Sequence, residues 1–213
     1  TGITSINATY DVDKHTELIS GIPTHTSSHF TNLFRGVQAF MYSAVIGPTL
    51  NISNSIFENV RQGVGISGFT LPYPVITNNT ITLKTDGSFL HDGGDAWGIH
   101  ATRCTYYYIQ ENNITSDFMP DPDLIQRSVV GIAVNNRHGD NTIVYKNSID
   151  HVRTSILPFG INGLQDLDAG LLLKCNQQSD NYENDIKVVN DGATGGVIKD
   201  NQGGCTSFIT DEF

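Results

Sequence analysis

The chain has 213 residues, of which 16% are charged, and its formal net charge is −10. Its 12 Lys and Arg residues are scattered singly, which argues against nucleic acid and against an anionic membrane surface as partners. No apolar run approaches the roughly 20 residues that span a bilayer, so we expect no membrane insertion.

The first predicted element is an irregular segment over residues 1–28, which we expect to form an N-terminal cap or a first coil. Repeated segments follow over residues 29–203, and a polar tail over residues 204–213 ends the chain. No linker rich in Pro, Ser or Gly interrupts the repeats, so residues 1–213 are predicted to form a single domain. Residue 1 is Thr and the chain has no signal-peptide pattern, so we expect a mature or excised piece of a longer protein.

A six-residue motif recurs along the repeated part of the chain. It consists of an aliphatic residue, two variable residues, a small polar residue that is usually Asn, another variable residue, and a hydrophobic or small residue. It occurs as ISNSIF (52–57), ITNNTI (76–81), IQENNI (109–114) and VYKNSI (144–149), and in weaker form as LKCNQQ (173–178) and IKDNQG (198–203). The polar position holds Ser55, Asn79, Asn112, Asn147, Asn176 and Asn201, at intervals of 24, 33, 35, 29 and 25 residues. A repeat of this length predicts a solenoid.

Gly followed by Val or Ile is a second periodic feature of the sequence. These dipeptides begin at Gly36, Gly63, Gly98, Gly131 and Gly160. The segments between the periodic positions are rich in Ile, Val, Thr, Tyr and Phe in short alternating runs, which is typical of strands, and none has a helical apolar stripe. We therefore predict an all-β, parallel solenoid of about six to eight coils with loop insertions.

Asn suits the polar position of the motif for two reasons. Asn tolerates the left-handed backbone of a tight corner, and identical amides stacked on successive coils can hydrogen-bond to one another. The alternative is that Asn only marks exposed turns. The fixed spacing between each Asn and its hydrophobic neighbours favours a buried asparagine ladder.

The segment DGSFLHDGGDAWGIH contains the best candidates for a metal site. Its carboxylates Asp86, Asp92 and Asp95 are the predicted ligands of a calcium ion, because Ca²⁺ is bound mainly by carboxylate and carbonyl oxygens. Trp97 and His100 follow directly and are candidate carbohydrate contacts. The alternative is a Gly-rich insertion whose Asp residues form turns.

Tyr106, Tyr107 and Tyr108 are further candidates for carbohydrate binding. Alternation along a strand predicts that Tyr106 and Tyr108 lie on one face and Tyr107 on the other. Outward tyrosines can stack against sugar rings, and they can equally cover the core as large amphipathic side chains.

The segment NNRHGDN contains the best candidates for catalytic residues in the sequence. Arg137, His138 and Asp140 could supply a positive clamp, a base and an acid. Short polar loops often contain such combinations, so the sequence assigns no catalytic residue and favours a non-enzymatic protein.

Three cysteines with no CxxC spacing argue against a zinc cluster. Cys175 and Cys205 lie near the polar positions of two neighbouring coils and are the candidate pair for a disulfide. The alternative is that each cysteine is a small buried hydrophobic residue, which is the interpretation we prefer for Cys104.

The IxxNxI motifs, the Gly-Ile dipeptides and the stretch GLLLKCNQQSDNYENDIKVV resemble the right-handed parallel β-helix proteins of the pectate-lyase-like superfamily. More narrowly, they resemble the large secreted repeat proteins of the Bacteroidota. The resemblance covers about 170 residues and implies a single-stranded right-handed parallel β-helix. It does not imply one function, because the superfamily includes lyases, hydrolases, epimerases, phage tailspikes and proteins without known chemistry.

We predict a secreted or cell-surface scaffold or adhesion module that contacts carbohydrate, with a glycan or a cell-surface polymer as its partner. A polysaccharide-active enzyme, in particular a calcium-dependent polysaccharide lyase, is the first alternative. A trimeric tailspike-like fibre is the second. The sequence marks no exposed hydrophobic face clearly, which favours a monomer.

Overall fold

The computed structural model describes residues 2–6, 8, 10–19, 22–42, 49–70, 73–85, 95–117, 128–135, 142–164, 169–189 and 197–198. These residues form strands and turns. They contain no helix, and therefore none that is long and apolar enough to cross a membrane.

In chain order, the strands of the described residues are β1 (Ile3–Ile6), β2 (Tyr10–Val12), β3 (His15–Ile19), β4 (Ile22–Thr26), β5 (His29–Thr31), β6 (Arg35–Phe40), β7 (Leu50–Ser53), β8 (Ile56–Val60), β9 (Gln62–Ser67), β10 (Val75–Thr77), β11 (Thr80–Leu83), β12 (Ala96–Thr102), β13 (Tyr108–Gln110), β14 (Asn113–Ser116), β15 (Val129–Asn135), β16 (Ile143–Tyr145), β17 (Ser148–Asp150), β18 (Thr154–Pro158), β19 (Ile161–Leu164), β20 (Ala169–Gly170), β21 (Leu172–Lys174), β22 (Gln177–Ser179), β23 (Asn184–Ile186) and β24 (Val197–Ile198).

Three long parallel sheets contain most of these strands. Sheet A has the order β1-β6-β9-β12-β15-β18-β23, sheet B the order β2-β7-β10-β13-β16-β21, and sheet C the order β5-β8-β11-β14-β17-β22. Within each sheet the order follows the chain, and each sequence repeat contributes one strand to A, then one to B, then one to C. The fold is therefore all-β, as predicted, and consistent with a β-solenoid.

Two smaller groups of strands depart from this pattern. Strands β3 and β4 form an antiparallel hairpin between β2 and β5, and β19 pairs antiparallel with β20 and parallel with β24. Within the segment 1–28, β1 joins sheet A and β2 joins sheet B. This segment therefore already extends two of the three long sheets.

The hydrophobic core consists of stacked residues from successive repeats. In each stack, residues paired across neighbouring strands are aliphatic or aromatic and at most 1% exposed. The stacks are Val37, Val64, Ile99, Ile132 and Ile156 in sheet A, Ile52, Ile76, Ile109 and Val144 in sheet B, and Phe57, Ile81, Ile114 and Ile149 in sheet C. The sheet B and sheet C stacks are the first and last positions of the sequence motif. Burying one such side chain is worth about 1.5–3 kcal/mol.

The predicted asparagine ladder is present. Oδ1 of Asn112 accepts hydrogen bonds from the backbone N–H (3.1 Å) and the side-chain amide (2.9 Å) of Asn79 in the preceding repeat. Its Nδ2 donates to Oδ1 of Asn147 (3.0 Å) and to the carbonyl oxygen of Ile76 (3.0 Å). The same contacts link Asn147 to Asn176, and Ser55 begins the described series by donating its backbone N–H to Asn79. The sixth predicted member, Asn201, lies outside the described residues.

The left-handed corner residue is not the ladder residue, so that part of the prediction is wrong by one position. From the second repeat onward, a two-residue corner joins sheet B to sheet C, and its first residue has φ between 49° and 56°. These first residues are Asn54, Asn78, Glu111, Lys146 and Cys175. The turn is completed before the ladder residue, which leaves its amide free to point inward. Asn78, Glu111 and Lys146 are exposed at this position, so charged residues are accepted there.

The glycine series also differs from the sequence expectation. Gly36, Gly63, Gly98 and Gly131 occupy equivalent positions in sheet A, but Ile156 pairs with Ile132, so Ser155 and not Gly160 continues the series. A Cβ added to Gly98 would lie 2.5 Å from the carbonyl oxygen of Gly131 and 2.7 Å from Cγ2 of Ile114. Glycine is required there because the backbone of sheet A packs directly against the core residues of sheet C.

The ladder predicts a large loss of stability in Asn112→Ala. The substitution leaves the buried amide groups of Asn79 and Asn147 without their partners, and each unsatisfied buried group costs about 1–3 kcal/mol. We expect a decrease of roughly 3 kcal/mol or more in the free energy of unfolding, measured by chemical denaturation. The adjacent and exposed Asn113 provides the control, since Asn113→Ala should change stability by less than about 0.5 kcal/mol. Equal effects of the two substitutions would contradict the ladder.

The glycine series predicts that Gly98→Ala is destabilising by about 1–3 kcal/mol, because the added methyl group overpacks a site bounded by backbone. Gly65→Ala is the matched control in the neighbouring strand. There the three atoms nearest to the new Cβ all belong to the side-chain amide of Gln38, which can move away. Thermal melting of both variants tests the prediction, and a similar melting temperature for the two would contradict it.

Candidate functional site

Three tyrosines form a cluster on the outer side of sheet B, which we call the tyrosine cluster: Tyr73, Tyr106 and Tyr108. Tyr73 precedes β10, while in the next repeat Tyr106 precedes β13 and Tyr108 begins it. The ring centroid of Tyr73 is 5.2 Å from that of Tyr106 and 5.7 Å from that of Tyr108, both in edge-to-face geometry. Tyr73 is 38% exposed and the other two are half-buried. The cluster thus combines mutual packing with accessible ring surface.

An open depression of about 380 Å³ lies beside the cluster, lined by Tyr73, Val75, Tyr108 and Gln110. Val75 pairs with Tyr108, and Gln110 follows two residues later on the same face. Burial, and then the neighbouring Tyr73, raise the pKa of Tyr108, so its phenol stays neutral at physiological pH and can donate a hydrogen bond. Ring faces, a phenol and an amide are groups that can contact a polyhydroxylated ligand.

Tyr107 is excluded as a carbohydrate contact. The predicted alternation holds, since Tyr106 and Tyr108 are half-buried while Tyr107 is fully buried in the core. A side chain with no exposed surface cannot stack against a sugar, so the prediction that Tyr107 binds carbohydrate is wrong.

The sequence reasoning missed Tyr73, although a signal for it was present. Tyr73 lies three residues before the motif that begins at Ile76, and Tyr106 lies three residues before the motif at Ile109. Aligning these two repeats places the tyrosines at equivalent positions, two residues before the neighbouring strands β10 and β13. Gln110 was missed as well, because its role depends on the tyrosines around it.

Trp97 and His100 come together on the outer side of sheet A. Because Gly98 and Ile99 both face the interior, these two residues emerge on the same side although they are three positions apart. Their rings stack with centroids 4.1 Å apart. The ring centroid of Phe159, which follows β18, is 6.1 Å from that of His100. The result is a small aromatic cluster on the outer face.

The imidazole of His100 is enclosed. Its strand neighbours are Gly65 and Ala133, and its Nε2 is buried with no hydrogen-bond partner among the described residues. Burial lowers the pKa of His100 to about 4, so the imidazole is neutral at physiological pH. Since Trp97 stacks on this ring and is only partly exposed, the pair is less open to a ligand than the tyrosine cluster.

The predicted calcium site is only partly within the described residues. Oδ1 of Asp95 accepts a hydrogen bond from the backbone N–H of Ser128 (3.2 Å), which ties the start of β12 to the start of β15. Asp86 and Asp92 lie outside the described residues, as do the catalytic candidates Arg137, His138 and Asp140.

A different group of metal-ligand types occurs at an exposed corner of sheet C, formed by Asp150, His151 and Asp180. Each offers one ligand atom within 4.8 Å of the others. Nδ1 of His151 already lies 2.7 Å from Oδ2 of Asp150, and the hydroxyl of Ser179 donates to Oδ1 of Asp150. These contacts form an exposed network of polar side chains, and we assign no ion to it.

The cysteines divide into two types. Cys104 is a free, buried thiol whose pKa is raised to about 12 by burial, in agreement with its interpretation as a small hydrophobic residue. Cys175 is disulfide-bonded, and its predicted partner, Cys205, lies outside the described residues.

Comparison with known protein families, with curated proteins and with solved structures finds no match to this chain. Function is therefore inferred from the chemistry of the outer faces of sheets A and B. The tyrosine cluster on sheet B borders the open depression.

The buried imidazole of His100 predicts a loss of stability in mild acid. Above pH 6.5 the side chain is neutral in both states and contributes nothing to the pH dependence. As the pH falls from 6.5 to about 4, the unfolded chain binds a proton that the folded protein does not, so stability falls by at most about 3 kcal/mol.

Chemical denaturation at several pH values tests this effect by comparing the wild type with His100→Phe, which keeps a ring between Trp97 and Phe159. The variant should lose less stability in this pH window. His15→Phe, at a position 70% exposed, should behave like the wild type. The same pH dependence in all three proteins would contradict the assignment.

Proposed function

We propose that this chain is a single-stranded right-handed parallel β-helix that serves as a carbohydrate-binding scaffold or adhesion module. The handedness is supported by the strong right-handed preference of connections between parallel strands of one sheet. The strand orders of sheets A, B and C support one continuous path through all three sheets.

The observation that carries the binding proposal is the open, tyrosine-lined depression on sheet B. A sugar presents C–H groups on its ring face and hydroxyl groups at its edge, so it needs an apolar platform beside polar groups. The rings of Tyr73 and Tyr108 provide the platform, and the side chain of Gln110 provides both a donor and an acceptor.

The proposed location is extracellular, either secreted or at the cell surface. The disulfide at Cys175 supports it, because disulfides form and persist mainly in oxidising compartments. A parallel solenoid also suits such a setting, since stacked repeats hold a binding surface rigidly at a distance.

Neither alternative function has a specific observation in its favour among the described residues. The lyase would need a calcium site, and of its predicted ligands only Asp95 is described, with its Oδ1 bonded to backbone. The trimeric fibre would need a continuous apolar stripe. The outer row of sheet A begins with Ile6 and Phe40 but continues with Ser67, Thr102 and Asn135, which favours a monomer.

The proposal predicts that Tyr73→Ala and Tyr108→Ala each weaken glycan binding by about tenfold or more, because each removes part of the stacking platform. Affinity electrophoresis through gels containing a neutral glucan, xylan or mannan measures the retention. Tyr42→Ala is the control, since Tyr42 is 75% exposed on another part of the surface.

Assays for released sugar and for the ultraviolet absorbance of unsaturated products, run on the same polysaccharides and on polygalacturonate, separate binding from catalysis. Product formation would contradict the non-enzymatic part of the proposal. Retention equal to the wild type in both tyrosine variants, or no retention of the wild type on any polysaccharide, would contradict the binding site.

A further inference from the structure

The outer face of sheet B continues beyond the depression into the next repeat. Tyr108 pairs with Ile143, and Gln110 pairs with Tyr145. Between them in sequence, Ile109 and Val144 are fully buried, whereas the four paired residues are half-buried. Alternation therefore places Tyr108, Gln110, Ile143 and Tyr145 together on the outer face.

These residues connect the tyrosine cluster to a further aromatic ring. Gln110 is two residues from Tyr108 on one strand and directly opposite Tyr145 on the next. With the usual strand spacing and rise per residue, the Cα atoms of Tyr108 and Tyr145 are about 8 Å apart. A chain of a few sugar rings covers this distance, so one linear ligand can reach both tyrosines.

The row is uncharged along its length. Its members are Tyr73, Val75, Tyr108, Gln110, Ile143 and Tyr145. Two basic residues lie at its far end: Nζ of Lys146 is 5.1 Å from the ring centroid of Tyr145, and the buried Lys174 pairs with Tyr145 from the next strand. The protein as a whole carries a net charge of −10, which disfavours the approach of an acidic polymer.

We propose that the ligand is a linear, uncharged glycan that lies across the strands of sheet B from the tyrosine cluster to Tyr145. This inference rests on the proposed function and adds to it the length and the charge of the ligand. Tyr145 is a binding residue of the extended site, and Gln110 is the polar group between its two aromatic ends. The side-chain amide of Gln110 would form hydrogen bonds with the hydroxyl groups of the glycan.

The test is calorimetric titration with a series of neutral, linear β-1,4-linked glucose or mannose oligosaccharides, from the disaccharide to the hexasaccharide. For the wild type we expect affinity to rise by about tenfold or more along the series. Tyr145→Ala should remove this gain, so that the hexasaccharide binds about as tightly as the disaccharide. Tyr108→Ala should weaken the binding of every member, and the exposed Tyr182 provides a control in Tyr182→Ala.

Charge preference is tested with a galacturonate hexasaccharide and with Lys146→Gln. We expect weaker binding of the acidic ligand than of the neutral one, and no change in neutral binding in the variant. Tighter binding of the acidic ligand would overturn the inference.

Two outcomes separate this inference from the proposed function. If the neutral oligosaccharides bind and Tyr108→Ala weakens them, but Tyr145→Ala leaves the length dependence intact, the extension is wrong and the proposed site stands. If the wild type binds none of the oligosaccharides while its thermal melting shows a folded protein, the proposed function fails and the extension fails with it.

Discussion

The asparagine ladder is the interaction on which the register of this structure depends. Asn112 accepts two hydrogen bonds from Asn79 and donates two to Asn147, so the ladder residues of the preceding and following repeats must be aligned with it. A slip of one residue in any strand would leave these buried amides unpaired and would also turn the core side chains outward. The ladder and the hydrophobic stacks therefore favour the same strand register, and together they disfavour any shift from it.

The ladder depends on a corner of constant length between sheet B and sheet C. Two residues join sheet B to sheet C at each described ladder position from Ser55 to Asn176, while the ladder intervals vary from 24 to 35 residues among these members. The additional residues fall between sheet C and sheet A or between sheet A and sheet B. Length variation is tolerated at those places because no buried amide has to meet its counterpart there.

The same register accounts for the candidate binding surface. Tyr73 and Tyr106 occupy equivalent positions in successive repeats, and strand pairing places Gln110 beside Tyr145. Their spacing is set by the distance between strands, which is more constant than the geometry of a loop and suits recognition of a regular polymer. His100 belongs to a different type of environment, since its ring is enclosed by Trp97 and Phe159 and its nitrogen has no described partner.

The sequence by itself determined the all-β class, the ladder at Ser55, Asn79, Asn112, Asn147 and Asn176, and the placement of Tyr106 and Tyr108 on one face with Tyr107 on the other. The spacing of the repeated motif and the alternation of side chains along a strand are both visible in the sequence alone. Only the tertiary structure decided that Ser155 and not Gly160 follows Gly131, because pairing across an insertion is not visible in dipeptide spacing. It alone also decided that the left-handed residue precedes the ladder residue, and that Tyr107 and His100 are enclosed. These outcomes depend on which residues from other repeats cover a side chain, and that is fixed by packing between strands distant in sequence.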